Sequence, residues 1–185
     1  MTLPDRYTRT AVVLHWVIAV LMIVNVAFAL LDDRFGDDHT RFMVDTHKSI
    51  GITILGLALL RLLWRLTHRP PPLPDHYRSW EKRASHAAHL ALYVLMFALP
   101  LSGWMHDSAW SAAPRIKMYW FGLFEWPRIG WIMDMAPVAK KAAHAELFAV
   151  HQWLGYALYV LFFLHVGGAL KHQFIDKQPE LQRMS

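Results

Sequence analysis

The sequence contains no cysteine, and only 18% of its 185 residues are charged. The absence of cysteine excludes disulfide bonds, cysteine-ligated zinc, iron–sulfur clusters and any cofactor attached through a C-x-x-C-H motif. The charged fraction falls below the roughly 25% that is usual for soluble domains, and the hydrophobic fraction of 55% exceeds their roughly 45–50%. An ordinary soluble domain is therefore a poor description, and the 12 histidines are the abundant metal-ligating side chains that remain.

Four apolar segments are long enough to cross the hydrocarbon core of a bilayer, about 30 Å thick, as helices. They are expected at about 11–31, 47–66, 84–106 and 147–170. Residues 1–30 also resemble a signal peptide, but the length of the run and its histidine favour a retained helix. The sequence predicts an all-α, integral membrane four-helix bundle, with residues 1–185 forming a single membrane domain.

The lysines and arginines predict the orientation of this bundle. Placing both termini in the cytoplasm puts the larger share of them on that side: Arg6, Arg9, Arg61, Arg65, Arg69, Arg78, Lys82, Arg83, Lys171, Lys177 and Arg183. The formal charge of +5 could suggest a nucleic-acid partner, but apolar runs of this length would not stay in water. The basic residues are therefore interpreted as topology signals facing membrane lipid, and no nucleic acid is expected as a partner.

The connection between the third and fourth segments is rich in aromatic residues. They are Trp110, Tyr119, Trp120, Phe121, Phe124, Trp126 and Trp131. Because Trp and Tyr concentrate where membrane meets water, we expect this connection to form a periplasmic interfacial segment, either a cap or an in-plane helix.

Histidines occur at two depths in the predicted bundle. His151 and His165 are 14 positions apart on one segment, so on a helix they differ by about 40° in direction and about 21 Å in height. His15 shares the cytoplasmic level with His165, and His47 shares the periplasmic level with His151. Two bis-histidine sites stacked across a four-helix bundle are what two non-covalent b-type haems require, since a porphyrin needs trans axial nitrogens and apolar walls.

Other polar residues near these levels leave several roles open. His86 and His89 enter the third segment and could be alternative ligands, contacts to a propionate or a quinone, or plain interfacial residues. His144 lies one heptad before His151 and could replace it as a ligand. Arg61 and Arg65 could bind haem propionates or serve only as topology signals. Five further histidines look peripheral: His39, His68, His76, His106 and His172.

A different class of function also fits paired intramembrane histidines. They suit a transporter for metal ions or protons, but the predicted spans lack the carboxylates that such relays commonly include. A purely structural membrane module would not explain histidines matched by depth.

Several short motifs follow one another along the chain in a recognisable order. They are Arg6-Tyr7 with Leu14-His15-Trp16; His47-Lys48-Ser49-Ile50-Gly51; Leu60-Arg61-Leu62-Leu63-Trp64-Arg65; His86-Ala87-Ala88-His89; Ala98-Leu99-Pro100-Leu101-Ser102-Gly103-Trp104; Trp120-Phe121-Gly122-Leu123-Phe124; and the His151 to His165 spacing. With these motifs, about Tyr7 to Phe174 of the chain resembles the bacterial cytochrome b561 family, the small di-haem membrane cytochromes that include superoxide oxidase.

The resemblance implies two b haems with iron ligands at His15, His47, His151 and His165, in a bacterial inner membrane, exchanging electrons with ubiquinone. It makes the protein an oxidoreductase candidate that oxidises superoxide at the periplasmic face. The alternative within the same chemistry is a cytochrome b subunit that passes electrons to a partner dehydrogenase or another redox protein. Superoxide is an anion, so a cationic mouth would help its capture. The outer loops mix both signs of charge, and only a local patch that includes Lys48 is expected.

Overall fold

The computed structural model describes residues 6–31, 34, 37–73 and 77–184, apart from the side chains of Asp37 and Asp38. His76, one of the histidines that look peripheral in the sequence, lies outside this part of the chain. The helices are α1 (Arg9–Leu31), α2 (Asp37–Thr67), α3 (Ser79–Ser108), α4 (Gly130–Met133) and α5 (Pro137–Leu170). Two short strands, β1 (Tyr119–Trp120) and β2 (Phe124–Glu125), precede α4.

Four of the helices, α1, α2, α3 and α5, are long and apolar enough to cross a membrane. In the described part of the chain, α1 packs on α2, α2 on α3 and α3 on α5. This arrangement confirms the predicted all-α membrane four-helix bundle. The helices contain the four expected spans and extend past them, most of all in α2 and α5, whose first turns are polar and continue beyond the apolar stretch.

Local chemistry explains where the helices begin and end. The amide of Arg78 donates to the carboxylate of Glu81 at 3.0 Å, which satisfies one of the free N–H groups at the start of α3. Proline opens α5 at Pro137, a position where the missing amide hydrogen is not needed. The proline run that starts at Pro70 follows the end of α2 and prevents its continuation.

The centre of the bundle is packed by aliphatic side chains from three helices. Its buried members are Ile18 of α1, Ile50, Ile54 and Ala58 of α2, and Met96 of α3. Many large apolar side chains instead point outward, among them Val13, Val17 and Val20 on α1 and Trp153, Val160 and Phe163 on α5. An apolar exterior of this extent is stable in lipid and not in water.

The first and last described residues meet at one end of the bundle, which is called the termini end below. The amide of Tyr7 donates to the carbonyl of Arg183 at 3.2 Å, and the indole of Trp16 donates to the carbonyl of Met184 at 2.8 Å. Residues 171–184, called the C-terminal strap, contain a π-helical turn (Lys171–Ile175) and a 3₁₀ turn (Leu181–Met184). The opposite end, which carries residues 109–136, is called the loop end.

The segment at the loop end is a compact cap and contains no long in-plane helix. Strands β1 and β2 pair antiparallel, with Trp120 opposite Phe124. The turn between them places Phe121 and Gly122 at φ of 48° and 73°, and it is closed by a bond from the amide of Leu123 to the carbonyl of Trp120 at 2.9 Å. Prolines and glycines distributed along the segment interrupt helix formation, which explains why only the four residues of α4 are helical there.

Candidate functional site

The four histidines singled out by depth meet in two pairs at opposite ends of the bundle. At the termini end, the ring centroids of His15 and His165 lie 6.2 Å apart with an interplanar angle of 73°. At the loop end, the centroids of His47 and His151 lie 6.1 Å apart at 87°. Each pair joins one residue from the first two helices with one from α5. All four side chains are half-buried.

The loop-end rings are oriented through their Nδ1 atoms. Nδ1 of His47 lies 3.0 Å from the carbonyl oxygen of Asn25, and Nδ1 of His151 lies 3.1 Å from that of Leu99. A carbonyl can only accept a hydrogen bond, so each Nδ1 carries the proton and each Nε2 is left with its lone pair. This is the tautomer that a metal-binding histidine needs.

Two neighbours on α3 shape the surroundings of His151, and the sequence interpretation assigned neither of them a role. The hydroxyl oxygen of Ser102 lies 2.9 Å from Nδ1 of His151. A Cβ atom added to Gly103 would lie 3.2 Å from Cε1 of the same ring. Both residues belong to the motif at the exit of the third segment, which was the signal available in the sequence.

The termini-end pair has a third histidine beside it. The ring centroid of His89 lies 5.3 Å from that of His165 at 69°. Arg61 of α2 lies near His15, His89 and His165. His86, the other candidate on this turn of α3, is exposed. The structure therefore brings His89, but not His86, to the paired histidines.

Arg61 and Arg65 lie on one face of α2 against Tyr93 of α3. Nε of Arg61 donates to the Tyr93 hydroxyl at 3.1 Å, and the two guanidinium carbons lie 5.8 and 5.6 Å from the Tyr93 ring centroid. Both arginines are half-buried at the termini end. Two cations held beside the histidine cluster provide a site for an anionic group.

A buried carboxylate organises the loop end, and no motif in the sequence indicates it. The carboxylate of Asp107 forms ion pairs with Nζ of Lys48 at 2.9 Å and with Nε of Arg128 at 2.7 Å. The side chain of Asp107 is 6% exposed. Arg128 also donates to the carbonyls of Ala113 and Ile116. Lys48 was expected to contribute to a positive patch. Its charge is instead shared with Asp107 and, at 3.5 Å, with Asp45.

The remaining histidines have partners of other kinds. His144 does not face His47, because its ring stacks on that of His106 at 4.0 Å, and each Nδ1 bonds the other residue's carbonyl. His106 therefore belongs to a partly buried pair, although the sequence suggested a peripheral position. His68 stacks on Trp64, and His172 stacks on Tyr77. His39 is exposed.

One cluster has the composition of a metal site, but the ammonium group of a lysine already lies between its carboxylates. Among the described residues, only Glu81, His172 and Asp176 bring three potential ligand atoms close together. Nζ of Lys171 lies 2.8 Å from Glu81 and 2.7 Å from Asp176, so an ammonium group already bridges these two carboxylates.

Comparison with known proteins identifies the family. The family model described as prokaryotic cytochrome b561 matches residues 6–185. The chain belongs to the prokaryotic cytochrome b561 family. It is 35% identical to "Cytochrome b561 homolog 2" of Escherichia coli strain K12, over 98% of this chain and 92% of that protein. It is 25% identical to "Cytochrome b561 homolog 1" of the same strain, over 97% of each chain.

A third relative carries a more specific name. The chain is 27% identical to "Probable superoxide oxidase CybB" of Yersinia pestis, over 97% of this chain and 95% of that protein. Membership of the cytochrome b561 family makes this chain a multi-pass membrane protein of electron transfer, and it implies b-type haem.

The two histidine pairs have the spacing that a b-type haem requires. Two metal–nitrogen bonds of about 2 Å each, together with the two imidazole rings, place the centroids of trans ligands roughly 6 Å apart. The pairs at 6.2 and 6.1 Å meet this requirement. The contact between His89 and His165 is shorter, at 5.3 Å.

Proposed function

We propose that this cytochrome b561 carries electrons between two b haems in a bacterial inner membrane and exchanges them with ubiquinone, with superoxide as an electron donor. The observation that carries the proposal is the pairing of His15 with His165 and of His47 with His151 at opposite ends of the bundle. Each pair would hold one haem, and the bound haem supplies reversible one-electron chemistry. Two sites at different depths favour electron movement across the membrane.

The chain's own residues would bind and orient the two groups. His47 and His151 present Nε2 because their Nδ1 atoms donate to backbone carbonyls. Arg61 and Arg65 would bind the anionic propionates at the termini end, with Tyr93 holding Arg61 in place. His89, beside His165, would contact a propionate or the quinone.

The distribution of charge supports an orientation with both termini in the cytoplasm. Arg61, Arg65 and Lys171 lie at the termini end together with the residues that connect α2 to α3. Lys and Arg residues concentrate in short cytoplasmic loops of membrane proteins. The His15–His165 pair would then lie near the cytoplasm and the His47–His151 pair near the periplasm.

The proposed reaction balances in electrons and protons. Two superoxide anions each lose one electron and become dioxygen, while ubiquinone takes up two electrons and two protons and becomes ubiquinol. The name of the relative from Yersinia pestis supports superoxide as donor. Lys48 and Arg128 pair with Asp107, and Lys48 also with Asp45, so these two cations and two carboxylates balance and leave no net positive charge for an approaching anion.

The test uses the purified protein in detergent with an enzymatic source of superoxide and a soluble ubiquinone analogue. We expect ubiquinol to form, and the haem absorbance to shift to its reduced form when quinone is omitted. Added superoxide dismutase should abolish both signals. A haem-loaded protein that neither superoxide nor ubiquinol can reduce would contradict the proposal, and it would point instead to a cytochrome subunit that serves a partner dehydrogenase.

A further inference from the structure

We propose that the hydroxyl group of Ser102 sets the reduction potential of the loop-end haem by acting on its ligand His151. The inference rests on the proposed function, because it takes His151 as an iron ligand. Ser102 is a positioning residue in this account, since it touches the ligand and not the reacting atoms. It lies on α3, whereas the ligand lies on α5, so one helix adjusts the metal chemistry of another.

The hydrogen-bond directions follow from the chemistry of the three groups involved. When Nε2 of His151 binds a metal, Nδ1 must carry the proton and can only donate. The Ser102 hydroxyl at 2.9 Å therefore accepts from Nδ1. Its own hydrogen goes to the carbonyl of Leu99, also at 2.9 Å. Nδ1 in turn lies 3.1 Å from the same carbonyl, so His151, Ser102 and Leu99 form a closed triangle.

Ser102, which bonds both other members of the triangle, is buried and lies beside a residue that packs closely on the ring. Ser102 is 6% exposed, so water competes little for its hydrogen bonds. Gly103 lets the backbone of α3 approach the ring closely: an added Cβ would lie 3.2 Å from Cε1 and 3.4 Å from Nδ1 of His151. The imidazole edge that carries Nδ1 is thus held against one turn of α3.

Both ligands have a backbone carbonyl at Nδ1, and His151 has the Ser102 hydroxyl in addition. Nδ1 of His47 donates to the backbone carbonyl of Asn25 at 3.0 Å. A backbone carbonyl is present whatever the side chain, whereas the hydroxyl beside His151 depends on the identity of residue 102. Ser102 is therefore a position at which a single side chain changes the ligand's hydrogen bonding.

The Ser102 hydroxyl should lower the reduction potential of the loop-end haem. An acceptor at Nδ1 draws the proton away from the ring and raises the electron density that Nε2 donates to the metal. A more strongly donating ligand stabilises the oxidised iron and lowers its reduction potential. Removing the hydroxyl should raise the potential of the loop-end haem and leave the termini-end haem unchanged.

The experiment is a spectroscopic redox titration of the purified, haem-loaded Ser102→Ala variant beside the wild type. We expect one of the two midpoint potentials to rise, by up to roughly a tenfold change in the reduction equilibrium, or about 59 mV for one electron. Ser102→Thr restores a hydroxyl and should return the potential toward the wild-type value. Ser108→Ala is the matched control: Ser108 is also a buried serine of α3, and its hydroxyl bonds Trp104 and the amide of Ile129.

Each outcome decides the question. A shift in midpoint potential that is confined to one haem and reversed by threonine supports the inference, whereas loss of that haem in Ser102→Ala would show that Ser102 holds the site and would overturn it. Three other results would overturn it. The first is unchanged midpoint potentials, and the second is an equal shift in the potentials of both haems. The third is the same change in potential in Ser102→Ala, Ser102→Thr and Ser108→Ala. If the wild type itself holds no haem, the proposed function fails. If the wild type holds two and Ser102→Ala does not differ from it, only this inference fails.

Discussion

At the scale of single residues, the contacts around His151 show how an imidazole is accommodated inside a membrane bundle. A buried polar ring is costly unless its nitrogens have partners. Leu99 and Ser102 satisfy Nδ1, and Nε2 would be satisfied by the proposed haem iron. Gly103 provides the space for this arrangement, because an added Cβ at this position would lie 3.2 Å from the ring.

This close approach predicts that Gly103→Ala weakens the loop-end haem site. The added methyl group must push His151 by a few tenths of an ångström, and the ring cannot move away without lengthening its bonds to Leu99 and Ser102. We expect lower haem content per chain, measured by pyridine haemochrome analysis. Gly56→Ala is the control, since its added methyl would meet no atom within 4 Å. Equal haem content in both variants would show that Gly103 does not constrain the ligand.

At the scale of secondary-structure elements, Asp107 connects the loop-end segment to the bundle. It lies at the end of α3, Lys48 comes from α2, and Arg128 comes from the segment between β2 and α4. Arg128 extends this connection to the carbonyls of Ala113 and Ile116. Three separate parts of the chain thus share one carboxylate that is almost fully buried.

Asp107→Ala should therefore destabilise the protein by about 3 kcal/mol or more, because it leaves the buried Arg128 without its anion and leaves Lys48 with only the exposed Asp45. The free energy of unfolding in mixed detergent micelles measures this change. Glu125→Ala provides the comparison: its ion pair with Lys117 is exposed on both sides, and such pairs contribute little. If the two substitutions lower the free energy of unfolding by the same amount, Asp107 does not organise the loop end.

The C-terminal strap is the corresponding element at the termini end. Nη2 of Arg183 donates to the carbonyl of Pro72 at 2.6 Å, and the Tyr77 hydroxyl donates to Glu180. Burial and this bond raise the pKa of Tyr77. The hydrogen bonds from Lys171 and then His172 lower the pKa of Asp176. A lowered carboxyl pKa means that Asp176 stabilises the strap at neutral pH and loses this effect only as the pH falls through the lowered value.

Features that follow from a simple repeating pattern in the sequence could be predicted. Features that depend on contact between distant segments could not. Long apolar runs predicted the four spanning helices, and equal depth predicted which of His15, His47, His151 and His165 face one another. The hairpin around Gly122 could not be predicted, because its strands are two residues long and are held by Ser49 of α2. The triangle at Ser102 was missed for the same reason, since no local pattern shows which helix a serine will face.

At the scale of the whole molecule, the bundle separates two similar sites by most of the thickness of a membrane. The shared helix α5 carries one ligand of each pair, 14 residues and about 21 Å apart. The partners come from α1 at one end and α2 at the other. Because the two pairs share no residue, each site should be lost independently of the other.

The most direct test of this account is the haem content of His151→Ala and His165→Ala, measured as b haem per chain with the reduced-minus-oxidised spectrum of each variant. The wild type should hold two haems. Each variant should hold one, and the haems that remain should differ in spectrum and potential because they lie at opposite ends. Full haem content in both variants, or loss of both haems in each, would contradict the assignment of two independent bis-histidine sites.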